Sequence, residues 1–145
     1  MNSSAGRLSQ TRGDFGEDIA RRALDQFGVK MIEKVNTPWK VLWRNGRPVQ
    51  AFTVEKVSGD FIGIGAFGKK VLVEVKYREE KLSLSDFEKH QIDALEENNQ
   101  LGGISLVVWV QKHVCCIYYW PGMELKRGAP LKPGYPQGLQ LSINF

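Results

Sequence analysis

The chain has 145 residues, of which 42% are hydrophobic and 25% are charged, and its formal net charge is +4. This length is typical of one domain, and the apolar fraction is sufficient for a buried core. No apolar run reaches the roughly 18 residues that a membrane-spanning helix needs, and the amino terminus lacks the apolar segment of a secretion signal. The basic balance is compatible with an anionic partner such as nucleic acid but does not establish one.

The cysteines and histidines argue against disulfide or zinc chemistry. Cys115 and Cys116 are adjacent in a strand-like run, so we interpret them as small buried apolar side chains, which fits a reducing compartment. His90 and His113 are the only histidines, and neither has the spacing of a zinc ligand. We therefore expect a cytoplasmic protein without a zinc site.

The amino-terminal third begins with a polar, basic stretch over residues 1–12, which we interpret as a flexible arm. A helix is predicted from Asp14, with Glu17 three residues later as in a capping box, and it should end at Phe27 before Gly28. The apolar stripe of this helix is formed by Ile19, Ala20, Ala23, Leu24 and Phe27. Glu17 borders the stripe, so it is either a capping glutamate or an additional acid at a functional site.

Residues 29–57 have the composition of strands. Apolar runs over residues 40–44 and 47–52 flank Asn45-Gly46, and this dipeptide between apolar runs is the strongest short-range signal for a β-hairpin. The tip would carry Arg44 and Arg47. It is either a solvated turn or a basic prong that contacts nucleic acid.

A second hairpin is predicted where residues 65–68, which are rich in glycine, join two apolar runs. Strand alternation places the valines of the second run on one face and Glu74 and Lys76 on the other, about 7 Å apart along the strand. Asp60 opens the neighbouring run, so its carboxylate should arrive close to them. Charged groups are scarce inside apolar strands because their desolvation is costly. The three residues therefore suggest a metal-dependent catalytic site.

The second half predicts one more helix and three more strands. Residues 85–88 resemble a capping box, and the helix should run to about Gln100, ending at Gly102-Gly103. Gln91 lies on its inward face, where a buried amide needs partners, so it bonds either to backbone or to groups beside Lys76. Continuous apolar runs over residues 104–111 and 114–120 predict central strands buried on both faces. A tail rich in proline and glycine precedes a last short strand over residues 139–145.

Two convergent carboxylates suit a hard cation such as Mg²⁺, which prefers oxygen ligands and keeps several waters. Such an ion can polarise a phosphodiester and lower the pKa of a bound water. Lys76 could then stabilise the charge that develops on the phosphate, or orient and deprotonate the attacking water. We favour the first role, because a lysine beside two acids should stay charged. A structural cluster of ion pairs on a strand is the alternative interpretation of the same three residues.

The order of these residues resembles the PD-(D/E)xK nuclease superfamily, and most of all the RecU-type Holliday junction resolvases of Gram-positive bacteria and their phages. The matching segments extend from residue 12 to about residue 110: Arg12-Gly13, Glu17, Thr37-Pro38, residues 59–63, Glu74-Val75-Lys76, His90-Gln91-Ile92 and Gly102-Gly103-Ile104. His-Gln followed by Gly-Gly-Ile is the part most particular to this family. One departure is Gly59, which stands where the superfamily has a proline.

The resemblance implies an α/β fold: a restriction-endonuclease-like mixed β-sheet flanked by helices, in a single nuclease domain over residues 1–145. A β-hairpin stalk would project over residues 40–57. By the same resemblance, Asp60 and Glu74 would bind Mg²⁺, for which Mn²⁺ can substitute, with the Val75 carbonyl as a further ligand. The catalytic set would comprise Glu17 as a supporting acid, Asp60, Glu74, Lys76 as the catalytic lysine and Gln91 as an orienting residue.

The implied function is that of a Mg²⁺-dependent, structure-selective endonuclease that resolves four-way (Holliday) junctions by phosphodiester hydrolysis, in DNA recombination or repair. It would act on branched DNA as a homodimer, in the cytoplasm of a bacterial or phage-infected cell. The alternatives are another nuclease of the superfamily, repair or restriction-like, and a DNA-binding module of the same fold without catalysis. We expect phosphate contacts from Arg12, Arg44, Arg47, Lys69, Lys70, Arg78 and Lys81.

Overall fold

A computed structural model describes residues 3–35, 39–53, 59–133, 135 and 138–145. The elements in chain order are α1 (Ser3–Phe27), β1 (Lys30–Lys34), β2 (Trp39–Arg44), β3 (Arg47–Thr53), β4 (Phe61–Ile64), β5 (Lys70–Tyr77), α2 (Lys89–Gln100), β6 (Ile104–Val110), β7 (Val114–Tyr119) and β8 (Leu139–Asn144). Thr37-Pro38 and residues 54–57 of the predicted stalk lie outside the described residues. Among those described, no helix is long and apolar enough to cross a membrane.

Six strands form a mixed sheet in the order β1-β4-β5-β6-β7-β8. Only β5 and β6 run parallel among these pairs, and α2 is the crossover that joins them, as parallel neighbours require. Helix α1 contacts β1, β5, β6, β7 and β8, whereas α2 contacts β5 and β6. The predicted mixed sheet flanked by helices is thereby confirmed.

The sheet separates two hydrophobic layers. Val71 and Val73 of β5 pack with Ala20 and Leu24 of α1, whereas Leu72 belongs to the opposite layer, where residues of α2 pack. Strand β6 is buried on both faces from its second residue onward, which accounts for its continuous apolar sequence. The alternation predicted for β5 is therefore confirmed, and it places Glu74 and Lys76 on the α2 side.

Helix α1 is longer than the sequence predicts. It begins at Ser3 rather than at Asp14, so residues 3–12, which we expected to be a flexible arm, are helical. The prediction depended on a capping pattern at Asp14, but the residues before it contain no proline. Elongation of an existing helix costs far less than its nucleation. Once the packed second half of α1 has formed, the polar first half continues the same helix.

The start of α2 also differs from the predicted capping box at residues 85–88. Residues 84–86 form a separate 3₁₀ turn, in which the Asp86 carboxylate accepts a hydrogen bond from the Ser83 N–H at 2.8 Å. Phe87 then returns to extended backbone, and Glu88 becomes the N-cap of a helix that starts at Lys89. Asp86 thus serves the turn before it rather than the helix after it.

Strands β2 and β3 form a separate two-stranded sheet, as the Asn-Gly signal predicts. Asn45 and Gly46 have φ angles of 52° and 71°, the left-handed conformation that a tight two-residue hairpin turn requires. Arg44 and Arg47 face each other across this turn and are both exposed.

The carboxyl end of α2 is fastened to the sheet by a polar network. The Asn98 amide donates to the Ile104 carbonyl at 2.9 Å and to the Ser105 hydroxyl at 3.1 Å, and Asn99 donates to the Trp120 carbonyl at 2.7 Å. A Cβ at Gly103 would lie 2.5 Å from the Asn98 side chain, so only glycine permits this approach. Because α2 is held at this end, its first turn is fixed above β5.

Candidate active site

Asp60, Glu74 and Lys76 meet at the carboxyl-terminal end of β5. The Asp60 N–H donates to the Val73 carbonyl at 2.7 Å, and the Asp60 carboxylate accepts from the Val75 N–H at 2.7 Å. These two bonds hold the aspartate at the entrance to β4, directly beside Glu74. Glu74 and Lys76 are buried, with 2% and 7% exposure. The convergence that strand alternation predicts is therefore present in the fold.

The Lys76 ammonium has three neighbours that fix its position. It donates to the Gln91 side-chain oxygen at 3.1 Å and lies 3.5 Å from the nearer Glu74 carboxylate oxygen. It also lies 4.9 Å from the centre of the Phe87 ring, within the range of a cation–π contact. A buried ammonium without partners would be costly, so these contacts explain how β5 tolerates it.

Gln91 connects the two charged residues of β5. Its Nε2 donates to the Glu74 carboxylate at 2.7 Å, and its Oε1 accepts from Lys76 and from the Glu88 N–H at 2.9 Å. Only this amide orientation satisfies all three bonds, because the two donors need an oxygen and the carboxylate needs an N–H. The sequence left two interpretations of Gln91 open. The structure shows the contacts with Glu74 and Lys76, and it also shows one hydrogen bond with the backbone of Glu88.

The two carboxyl groups compete for ionisation. Burial, together with the negative charge of Asp60, raises the pKa of Glu74 to about 7. Burial also raises the pKa of Asp60, against the lowering effects of the Val75 N–H and of Lys76. The interaction between the carboxyls lowers the pKa of Asp60 and raises that of Glu74. The pair therefore tends to retain one proton, on Glu74, near neutral pH.

This retained proton predicts an unusual effect of Glu74→Gln on stability. Between the ordinary pKa of 4.5 and the folded-state pKa of about 7, folded protein binds more protons than unfolded protein. The free energy of unfolding should therefore fall as pH rises through this range, by at most about 3 kcal/mol. Glutamine keeps the partners without titrating, so the variant should be more stable than wild type at pH 8. Urea unfolding in EDTA between pH 5 and 8 measures the difference.

Glu96→Gln, at an exposed position of α2, is the matched control for this measurement. It should follow the wild-type pH dependence closely. Parallel stability curves for wild type and Glu74→Gln would contradict the assignment of the proton to Glu74.

Glu17 lies beside the carboxyl pair rather than within it. Its carboxylate forms an ion pair with Lys34 of β1 at 2.9 Å, and its charge contributes to the raised pKa of Asp60. The second interpretation of Glu17, an additional acid at the site, has this electrostatic support. Lys34 was not a candidate from sequence, because no spacing rule connects a helix residue to one in the following strand.

The predicted phosphate-binding residues are distributed over several surfaces. Arg78 and Lys81 follow β5 at the end where Glu74 and Lys76 lie; the Arg78 guanidinium is bonded to Asp86 at 3.0 Å. Lys69 and Lys70 are exposed at the opposite end of β5, about 20 Å from Lys76 at the usual strand rise. Arg12 belongs to α1, and its side chain is outside the described part. Arg44 and Arg47 occupy the tip of the β2–β3 hairpin.

The donor set at β5 fits a hard divalent cation. Mg²⁺ is commonly bound through one or two carboxylates and retains several waters, which two adjacent carboxyl groups can satisfy. The Val75 N–H points to Asp60, and in a strand the carbonyl of the same residue faces the same side, so it is available as a further oxygen. Within the ranges that the structure describes, no three His, Cys, Asp or Glu side chains form a metal-binding group.

Comparisons with known proteins address the fold and the family of the chain. In the search of solved structures, the fold resembles Hjc, a Holliday junction resolvase from the archaeal hyperthermophile Archaeoglobus fulgidus, with a TM-score of 0.50 and 15% identity over 82% of this chain and 85% of that chain. The search of curated proteins gives no significant match. The sequence matches the family Recombination protein U (RecU) over residues 12–130, most of its length. The chain therefore belongs to the RecU family.

Proposed function

We propose that this protein is a metal-dependent endonuclease that resolves four-way (Holliday) DNA junctions by phosphodiester hydrolysis. The observation that carries the proposal is the buried group of Asp60, Glu74 and Lys76, held together by Gln91. The family is named for recombination, and the structurally similar Hjc is a junction resolvase. Ionisable groups at such a cost in desolvation are typical of catalytic sites.

Asp60, Glu74 and the Val75 carbonyl would hold Mg²⁺, with Mn²⁺ as a possible substitute. When bound, the ion would polarise a phosphodiester oxygen and lower the pKa of a water molecule. The raised pKa of Glu74 keeps a proton on the carboxyl pair in the absence of metal. Loss of that proton leaves two neighbouring carboxylates, one in β5 and one immediately before β4, that would hold the cation.

Lys76 would stabilise the negative charge that develops on the attacked phosphate. Its ammonium is already fixed by Gln91 and by the Phe87 ring, so it needs little reorganisation in the transition state. Its burial also strengthens this interaction, because competing water is largely excluded. Glu17 acts as a supporting acid through its charge near Asp60.

The substrate would require two copies of the chain. A four-way junction has two-fold symmetry, and its resolution requires one cut in each of two strands. The described residues of one chain contain one site of this kind. A symmetric dimer would present two such sites related by the same axis as the junction.

The direct test is cleavage of labelled four-way, three-way and linear DNA, each with Mg²⁺ and with EDTA. We expect cuts at symmetric positions in the four-way junction, dependent on metal, and much slower cutting of the linear duplex. Failure of purified protein to cut any substrate with Mg²⁺ or Mn²⁺ would contradict the proposal. Equal cutting of all three would retain the nuclease and remove the preference for junctions.

Gln91→Ala is expected to reduce cleavage by about 10- to 100-fold, the usual effect of removing a residue that orients the catalytic groups. Glu74 and Lys76 would each lose a hydrogen bond at 2.7 and 3.1 Å, but neither would lose its charge. Single-turnover cleavage at increasing Mg²⁺ separates weaker metal binding from slower chemistry. Gln100→Ala, exposed at the end of the same helix, should cleave at the wild-type rate.

A further inference from the structure

A basic groove lies beside the candidate active site, and its cationic residues are not part of that site. It has a volume of about 470 Å³ and runs between the connection that precedes α2 and the loop over residues 126–130. Its cationic residues are Lys81, Lys89, Lys126 and Arg127, all exposed. Of these four residues, only Lys81 was predicted from the sequence to contact phosphate. The other three lie far from it in the chain or on an ordinary solvated helix face.

The two walls of the groove are joined by backbone hydrogen bonds. Leu82 and Leu131 exchange N–H to carbonyl bonds at 2.9 and 2.7 Å, and both side chains are buried. The Ala129 N–H donates to the Lys126 carbonyl at 3.1 Å, which closes the turn that presents Lys126 and Arg127. The carboxyl-terminal loop is thus fixed against the segment that leaves β5, and the spacing between the walls is set by the fold.

The groove adjoins the candidate active site at Phe87. The centre of the Phe87 ring lies 4.9 Å from the Lys76 ammonium, and the same residue lines the groove. Phe87 therefore places the groove next to the Lys76 ammonium.

The charge of the groove selects an anionic occupant. Within the part of the chain that the structure describes, no acidic residue lines it. Lys89 pairs with Asp93 at 2.9 Å, yet its side chain remains 90% exposed and available to a ligand. Four of the chain's 20 lysine and arginine residues line the groove. Leu84 and Ile92 supply apolar surface between the cations.

We propose that the basic groove binds the sugar-phosphate backbone of the DNA strand that the active site cleaves, next to the scissile phosphate. This inference rests on the proposed nuclease function and extends it to the carboxyl-terminal loop. Lys126 and Arg127 contact phosphates on one wall, and Lys81 and Lys89 contact them on the other. Each strand of DNA carries a phosphate about every 3.4 Å along the helix axis, so several contacts form within the groove.

The first test compares junction affinity for Lys126→Ala/Arg127→Ala with that for Arg22→Ala/Lys30→Ala. The control pair removes the same charge from exposed residues outside the groove, each paired with an exposed aspartate. Fluorescence anisotropy in EDTA between about 50 and 200 mM salt gives both affinity and salt dependence. We expect about tenfold weaker binding for the groove variant and a salt slope smaller by about 2, with the control unchanged. Equal affinities and slopes for the two variants would overturn the inference.

The second test identifies which DNA strand lies in the groove. Cys115 and Cys116 are buried, and burial raises the pKa of the Cys115 thiol to about 12, so a cysteine introduced by Arg127→Cys can be labelled selectively with a photocrosslinker. Crosslinks should fall on the cleaved strand, within a few nucleotides of the cut. Crosslinks spread over all strands, or to added protein rather than to DNA, would overturn the inference. The affinity comparison works without catalysis, so a wild type that binds but never cuts would refute the nuclease function while this comparison still decides whether the groove binds DNA.

Discussion

Lys76→Ala is expected to reduce junction cleavage by about 10²–10³-fold while the affinity for the junction stays within about threefold. The ammonium is buried beside Glu74 and Gln91, where a bound phosphate would meet it only at the position of cleavage. Its loss removes charge stabilisation from the transition state, whereas the many backbone contacts that hold the DNA remain. Single-turnover cleavage and anisotropy on the same labelled four-way junction measure the two effects separately.

Asp60→Asn should also reduce cleavage while the affinity for the junction is retained, but for a different reason. The variant loses a carboxylate expected to hold the metal, and it keeps a side-chain oxygen that accepts from the Val75 N–H. Lys30→Ala is the control for removal of a lysine, because Lys30 pairs only at the surface, with Asp25. Near-ultraviolet circular dichroism and thermal unfolding establish that the variants are folded. If wild type, Lys76→Ala and Asp60→Asn all cut alike and without metal, the activity comes from elsewhere and the catalytic proposal fails.

Strand alternation was enough to predict the central part of the site. Glu74 and Lys76 share a face because they are two apart in β5, and Asp60 reaches them because a short glycine-rich turn pairs β4 with β5. The Asn45-Gly46 turn could also be predicted from the sequence, because both positions require positive φ angles that few other residues adopt easily. In each case a local rule fixes the geometry, so the sequence alone is sufficient to predict it.

The features that could not be predicted from the sequence depend on contacts between distant segments. The ion pair of Glu17 with Lys34 joins a helix to a strand, and the closure of the basic groove by Leu82 and Leu131 joins the middle of the chain to its last quarter. No local pattern encodes such pairings. The start of α1 was missed for a related reason: a capping pattern at Asp14 is a local signal, but where a helix stops extending is decided by the cooperativity of the whole element.

Removal of the hairpin tip is the second change with a large expected effect. Deletion of residues 44–47 should abolish cleavage of four-way junctions or reduce it by at least about 100-fold, and it should largely spare the slower cutting of linear duplex. The tip pairs two arginines across a two-residue turn, remote in sequence from the catalytic residues. Phosphates of several strands converge at the centre of a junction but not in a linear duplex, so a basic prong contributes mainly to the branched substrate.

Arg44→Ala/Arg47→Ala separates charge from shape at this tip. Like charges that face each other across a hairpin are unfavourable by a few tenths of a kcal/mol, so their removal should not destabilise β2–β3, and the Asn45-Gly46 turn is retained. If the arginines bind junction phosphates, this variant should lose most of the preference for the four-way over the linear substrate. Unchanged selectivity in the double variant together with lost selectivity in the deletion would assign the role to the shape of the hairpin. Unchanged selectivity in both would favour another nuclease of the superfamily, in which β2–β3 takes no part in substrate choice.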